Sequence, residues 1–116
     1  MQIKKIYRNV LPELLFDELK DLALKQGLVP GESRMNTYSL PEDSSSFIYR
    51  GLMSFKNPKK KGEADPECLR AHIQGAAKGE TKLMLDINEE LFGQEKVAAL
   101  QGDMDFLFGS NEVKRA

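Results

Sequence analysis

The predicted fold follows from one stretch, Phe47-Ile48-Tyr49-Arg50-Gly51-Leu52-Met53-Ser54-Phe55-Lys56, in which side chains alternate strictly between two sets. One set is largely aromatic and apolar, and the other mixes apolar, polar and basic residues. A period of two is typical of a β-strand whose two faces have different surroundings. We therefore predict a strand over 47–56 whose aromatic set, from Phe47 to Phe55, faces covering helices.

The hydrophobic period changes repeatedly along the rest of the chain, in the order strand, helix, strand, strand, helix, strand. The first strand, 3–10, has two candidate inward faces, Ile3 with Tyr7 or Ile6 with Val10. The other predicted elements are a helix from Pro12 to Gly27, a strand over 34–40, a helix from Pro66 to Gly79, a strand over 81–87 and a helix over 95–100. This order predicts an α+β fold of ferredoxin-like type, a βαββαβ antiparallel sheet with two helices on one face and a C-terminal helical extension.

Such a sheet leaves its second face without helices. From the alternation, we expect this open face to carry three apolar residues among charged and polar ones: Ile48, Leu52 and Met84, beside Arg50, Ser54, Lys56, Lys82 and Asp86.

The 116 residues predict one domain, 1–101, followed by an extension over 102–116. The extension is acidic and apolar, and we expect it to have a disordered end. Its residues Met104, Phe106, Leu107 and Phe108 are too apolar for a solvated tail. We expect them to dock on the domain or on a partner, either a second copy, giving a homodimer, or another protein.

Charge is unevenly distributed, although the formal net charge is only −1. Up to Lys61 there are 11 basic and 7 acidic residues, and after it 6 basic and 11 acidic. The small net charge gives no general attraction to nucleic acid or anionic lipid. No apolar run approaches the roughly 18 residues of a membrane span, and the N-terminus has no secretory pattern. With Cys68 as the single cysteine, a reducing cytoplasm fits best.

Cys68 and His72 are four residues apart on the predicted second helix, which would place both on one face. A thiol beside an imidazole is the minimum for nucleophilic catalysis, so a small enzyme is one alternative. Two ligands are too few for structural zinc, and a lone cysteine on an apolar stripe is typical of packing. We therefore assign no catalytic residue, no metal site and no cofactor.

A second alternative is weak binding of RNA or a phosphate ligand. Arg50, Lys56 and the loop lysines Lys59, Lys60 and Lys61 could attract phosphate groups electrostatically. No glycine-rich phosphate-binding spacing accompanies them.

The residues from Lys4 to Pro12, followed by a helix that ends at Gly27, resemble the opening of an RNA-recognition motif, and Arg50-Gly51 is similar to the start of that family's third-strand signature. The resemblance implies RNA bound by aromatic side chains on the open sheet face. Here Leu52 and Ser54 occupy the positions of those aromatics, which leaves Tyr7 as the one platform. We therefore expect a protein-association or ligand-binding module that acts through its open sheet face, an edge strand or the C-terminal segment, with no membrane and no specific nucleic acid as partner.

Overall fold

The computed structural model describes residues 1–40, 43–57, 67–76 and 80–113, with the side chains of all these residues except 39–40, 43–47 and 76. It is an α+β fold in which one antiparallel sheet carries helices on one face. The elements are β1 (Gln2–Arg8), α1 (Pro12–Lys25), β2 (Val29–Leu40), β3 (Asp43–Lys56), β4 (Glu67–Ala76), β5 (Glu80–Ile87), α2 (Glu89–Phe92) and α3 (Gln94–Phe108).

The sheet has five strands in the order β1-β5-β4-β3-β2. Strands β2 to β5 follow one another as an antiparallel meander, and β1 pairs with β5 at the far edge. Helix α1 therefore crosses the sheet from one edge strand, β1, to the other, β2. The prediction of an antiparallel sheet is confirmed, but the order does not match the predicted ferredoxin-like arrangement.

The difference arises because the predicted second helix, 66–79, is wrong: Glu67–Ala76 is the strand β4. Leu69 and Ile73 are four residues apart, a spacing that fits one face of a helix but is also two periods of a strand. Ala71 lies between them and is buried too, whereas His72 and Gln74 are partly or fully exposed. Pairing with β3 and β5 on both sides overrides the weak helical preference of this segment.

The core lies between the sheet and the helices. The apolar side chains of α1 that recur at intervals of three and four residues are all buried, namely Leu15, Phe16, Leu19, Leu22 and Ala23. They meet the inward side chains of the strands, including Met53, Phe55, Ile73 and Leu85. On β1 the inward face is Ile3 with Tyr7, the first of the two predicted alternatives.

A bulge in β2 changes the surroundings of Ser54. Pro30 pairs with Phe55 and Ser33 pairs with Met53, so Gly31 and Glu32 both lie opposite Ser54. The Ser54 hydroxyl accepts a hydrogen bond of 2.8 Å from the Glu32 backbone N–H. A Cβ at Gly31 would lie 2.7 Å from that hydroxyl oxygen, so the close approach requires glycine. Ser54, which we expected on the open face, is therefore only 4% exposed.

The outer edge of β1 is partly covered by the residues that follow α3. The Val113 N–H donates to the Ile6 carbonyl at 2.7 Å, and Glu112 forms a bridge with Tyr7. The Lys5 ammonium lies 3.1 Å from the Glu112 carboxylate. No helix in the described ranges has the length and apolar character needed to cross a membrane.

Candidate binding face

The strand registers align side chains in rows across the face of the sheet that the helices do not cover, which we call the outer face. Residues directly opposite each other on neighbouring strands share a face, so each row can be followed from β1 to β2. One row is Ile6, Lys82, Gln74, Arg50 and Asn36; the next is Lys4, Met84, His72, Leu52 and Arg34. The two rows occupy the middle of the outer face.

Three aliphatic side chains lie in these rows: Ile6 on the edge strand β1, and Met84 and Leu52 on either side of His72. Each is partly exposed, as is Ile48 in the first half of β3. A shallow depression of about 350 Å³ lies at the β1–β5–β4 end of the outer face, and its lining includes Lys4, Ile6, His72, Gln74, Lys82 and Met84. The depression thus combines an apolar floor with basic and amide groups around it.

The outer face is predominantly basic. Its basic residues are Lys4, Arg8, Arg34, Arg50, Arg70 and Lys82. Arg34 pairs with Glu32 at 2.9 Å and Arg70 with Glu67 at 2.8 Å, so these charges are partly offset. Lys4, Arg50 and Lys82 form no ion pair with any residue in the described ranges. Three cationic groups therefore lie among these aliphatic side chains, and none of the three has a close ion-pair partner in the part of the chain that the structure describes.

The helical side of the molecule has the opposite charge. The three helices carry nine acidic residues, Glu13, Asp17, Glu18, Asp21, Glu89, Glu90, Glu95, Asp103 and Asp105, and only three basic ones, Lys20, Lys25 and Lys96. The helices are thus acidic and the outer face basic, and both halves of the sequence contribute residues to each side. An anionic partner is attracted to the outer face and repelled by the helices.

Cys68 and His72 do not share a face. Residues four apart in a regular strand would share one, but a bulge in β4 places Cys68 on the inner side. Lys56 pairs with Glu67 and Phe55 pairs with Leu69, so Cys68 is the extra residue of a bulge in β4. Its thiol is buried at 2% exposure, and burial raises the pKa of Cys68. A raised pKa disfavours the thiolate that nucleophilic or metal chemistry requires. His72 lies on the outer face, where its Nε2 is 4.0 Å from the Asp86 carboxylate.

The predicted phosphate-binding residues are only partly described. Arg50 is exposed in the middle of the outer face, and Lys56 is exposed at the end of β3. Lys59, Lys60 and Lys61 lie outside the described residues. The structure therefore places Arg50 on the outer face with Lys82, as the sequence predicted, and adds Lys4, which sequence analysis did not group with them. This grouping follows from the strand registers, which the sequence alone does not provide.

Tyr7 is not available as a stacking platform, so that part of the expectation is wrong. It lies on the inner face at 1% exposure, against the ring of Phe108. Burial, with the nearby carboxylates of Glu112 and Asp105, raises the pKa of Tyr7. Of the described side chains on the outer face, Tyr38 is the aromatic one, at 50% exposure.

The apolar residues of the predicted extension belong to the last two turns of α3, which crosses the predicted boundary after residue 101. Met104 and Phe108 are buried in the core. Leu107 is 40% exposed and Phe106 is 89% exposed on the helical side. The four residues thus divide between the core and the surface.

Comparison of the chain with models of protein families, with curated proteins and with solved structures gives no match. Within the described ranges, no three His, Cys, Asp or Glu side chains come together as a group that could hold a metal ion.

Proposed function

We propose that this protein is a binding module whose outer face takes an acidic protein partner. The observation that carries the proposal is that the aliphatic Ile6, Leu52 and Met84 lie among the cations Lys4, Arg50 and Lys82, which form no ion pair with the described residues. Apolar side chains together with charged ones are the usual composition of a protein interface. The acidic helices on the other side favour the same orientation of an anionic partner.

A protein partner fits this composition better than a single-stranded nucleic acid. Bases are held mainly by stacking on aromatic rings, and the middle rows of the outer face carry aliphatic side chains instead. Aliphatic side chains such as those of Leu52 and Met84 pack against other aliphatic side chains, which an acidic, amphipathic protein segment would supply. Carboxylates of the same segment would pair with Arg50 and Lys82, with Arg50 able to form bidentate hydrogen bonds.

A cytoplasmic location is part of this proposal. The sequence has one cysteine, and Cys68 is buried, so the fold does not depend on an oxidising compartment.

The binding experiment uses fluorescence anisotropy with three labelled probes of equal length. They are a peptide in which Glu alternates with Leu, a peptide in which Lys alternates with Leu, and an oligothymidylate. The test variant is Arg50→Glu/Lys82→Glu on the outer face. The matched control is Lys25→Glu/Lys96→Glu, which changes the net charge equally on exposed positions of α1 and α3.

The proposal predicts that the Glu-Leu peptide binds more tightly than the other two probes. The outer-face variant should weaken this binding about tenfold or more, while the helical variant changes it little. Tighter binding of the oligothymidylate would replace the protein partner with a nucleic acid. Equal weakening by the two variants, or no binding of the Glu-Leu peptide, would reject the outer face as the site.

A further inference from the structure

The two edges of the sheet are protected to different degrees. The outer edge of β1 is partly covered by residues 111–113 of the same chain. No residue in the described ranges pairs with the outer edge of β2. An uncovered edge strand offers a row of unpaired backbone N–H and C=O groups, so proteins usually blunt such edges with bulges, proline or charge.

Among the described residues, the features that protect the edge of β2 are confined to its first half. That half contains Pro30, the bulge at Gly31 and Glu32, and the ion pair between Glu32 and Arg34. The second half, Met35-Asn36-Thr37-Tyr38-Ser39-Leu40, has no proline and no charged residue. From Ser33 to Ser39 it pairs with β3 in unbroken register, so its backbone is regular enough to accept another strand.

We propose that residues 33–39 of β2 pair with the same residues of a second copy of this chain, antiparallel and about a two-fold axis at Asn36. A second copy fits because this segment is complementary to itself in the proposed register. This register places Arg34, whose side chain is 61% exposed, opposite Tyr38 of the partner, which is 50% exposed, and the contact occurs twice. A guanidinium over an aromatic ring is attractive, whereas a register with Arg34 opposite Arg34 would place like charges together.

The two-fold geometry of the pair determines where the two outer faces lie. A two-fold axis perpendicular to the sheet joins the strands antiparallel and keeps the outer faces of both copies on one side. The dimer would then have a continuous ten-stranded sheet, with two copies of the basic outer face side by side. The proposal concerns the edge and does not depend on what the outer face binds.

The experiment is sedimentation of the full chain over a wide concentration range, with one variant and one matched control. Both test residues flank Arg50 in the same row: Asn36 on β2 and Gln74 on β4. Asn36→Asp places a carboxylate opposite Arg50 within the chain, but also two carboxylates opposite each other at the proposed axis. Gln74→Glu places the same charge beside Arg50, away from the edge.

We expect a reversible dimer whose dissociation constant rises about fivefold or more in Asn36→Asp and stays nearly unchanged in Gln74→Glu. Because both variants gain a partner in Arg50, each should remain folded, which circular dichroism checks. A chain that is monomeric at every concentration, or a dimer that responds equally to both substitutions, would overturn the proposal. A second measurement fixes the register: Asn36→Cys should form an intermolecular disulfide under mild oxidation, and failure to do so while Gln74→Cys succeeds would also overturn it.

Discussion

The ring of Tyr7 lies 5.7 Å from the ring of Phe108, with the two planes tilted by 57°. The pair joins β1, at the edge of the sheet, to the last turn of α3. Tilted aromatic pairs at this separation add to the free energy gained by burying the rings. The contact fixes the C-terminal end of α3 over the sheet.

Phe108→Ala should therefore lower the free energy of unfolding by about 3 kcal/mol, because it leaves a cavity beside Tyr7. The control is Phe106→Ala in the same helix, where the side chain is 89% exposed and the expected change is within about 0.5 kcal/mol. Urea denaturation measures both. Equal effects of the two substitutions would mean that α3 does not pack on the sheet through Phe108.

Tyr7→Phe should leave stability at neutral pH unchanged or raise it by about 1 kcal/mol. The phenol oxygen is buried and has no hydrogen-bond partner among the described residues, so the hydroxyl contributes a desolvation cost without a bond. Thermal unfolding measures this effect, and Tyr38→Phe is the control. Tyr38 is exposed, so its substitution should leave the stability unchanged. A clear loss of stability in Tyr7→Phe would show that the Tyr7 hydroxyl has a hydrogen-bond partner.

The same substitution should alter the pH dependence of stability in alkali. Burial raises the pKa of Tyr7 above the value of about 10 in the unfolded chain. The stability linked to the neutral phenol is fully present below pH 10 or so and is lost as the pH rises from there toward the native pKa. The wild-type protein should therefore lose stability more steeply above that pH than Tyr7→Phe, and parallel curves would contradict the burial of the phenol.

Gly31 and Ser54 should be energetically coupled. Gly31→Ala brings a methyl group against the Ser54 hydroxyl, and Ser54→Ala leaves the Glu32 N–H without its acceptor. Each substitution should cost about 1–2 kcal/mol. In the double variant the methyl group meets no hydroxyl, so the combined cost should fall below the sum by about 1 kcal/mol. Strict additivity in urea denaturation would show that the two residues do not meet in the bulge.

Cys68 should react slowly with iodoacetamide in the native protein, because its thiol is buried and its pKa is raised. Unfolding in urea should make the reaction fast. His72→Ala should leave the native rate unchanged, since the imidazole lies on the opposite face of the sheet. Rapid native alkylation that His72→Ala slows would restore the alternative of an enzyme built on these two residues.

Sequence patterns predict this fold well where a periodicity has one interpretation. The alternation from Phe47 to Lys56 specifies β3, and the stripe from Leu15 to Ala23 specifies α1, because each pattern matches one period over many residues. The spacing of Leu69 and Ile73 fits both periods, and only the flanking strands β3 and β5 decide in favour of a strand. The local sequence does not indicate that this segment pairs with β3 and β5.

The candidate site depends still more on long-range register. Arg50 and Lys82 are 32 residues apart in the sequence, yet both flank Gln74 in one row of the sheet. Sequence analysis expected both residues on the open face but could not place them in one row with Ile6, nor include Lys4. Bulges are equally invisible to a period of two, which is why the burial of Ser54 and the separation of Cys68 from His72 became apparent only in the structure.

The most direct measurement of the central claim is a ¹³C-methyl methionine NMR titration with the Glu-Leu peptide. The chain has five methionines, and the structure distributes them usefully: Met84 on the outer face, Met53 and Met104 in the core. We predict that the Met84 methyl resonance shifts in proportion to bound peptide while those of Met53 and Met104 stay near their free positions. Binding of the peptide with Met84 unmoved would contradict the claim that the outer face is the binding site.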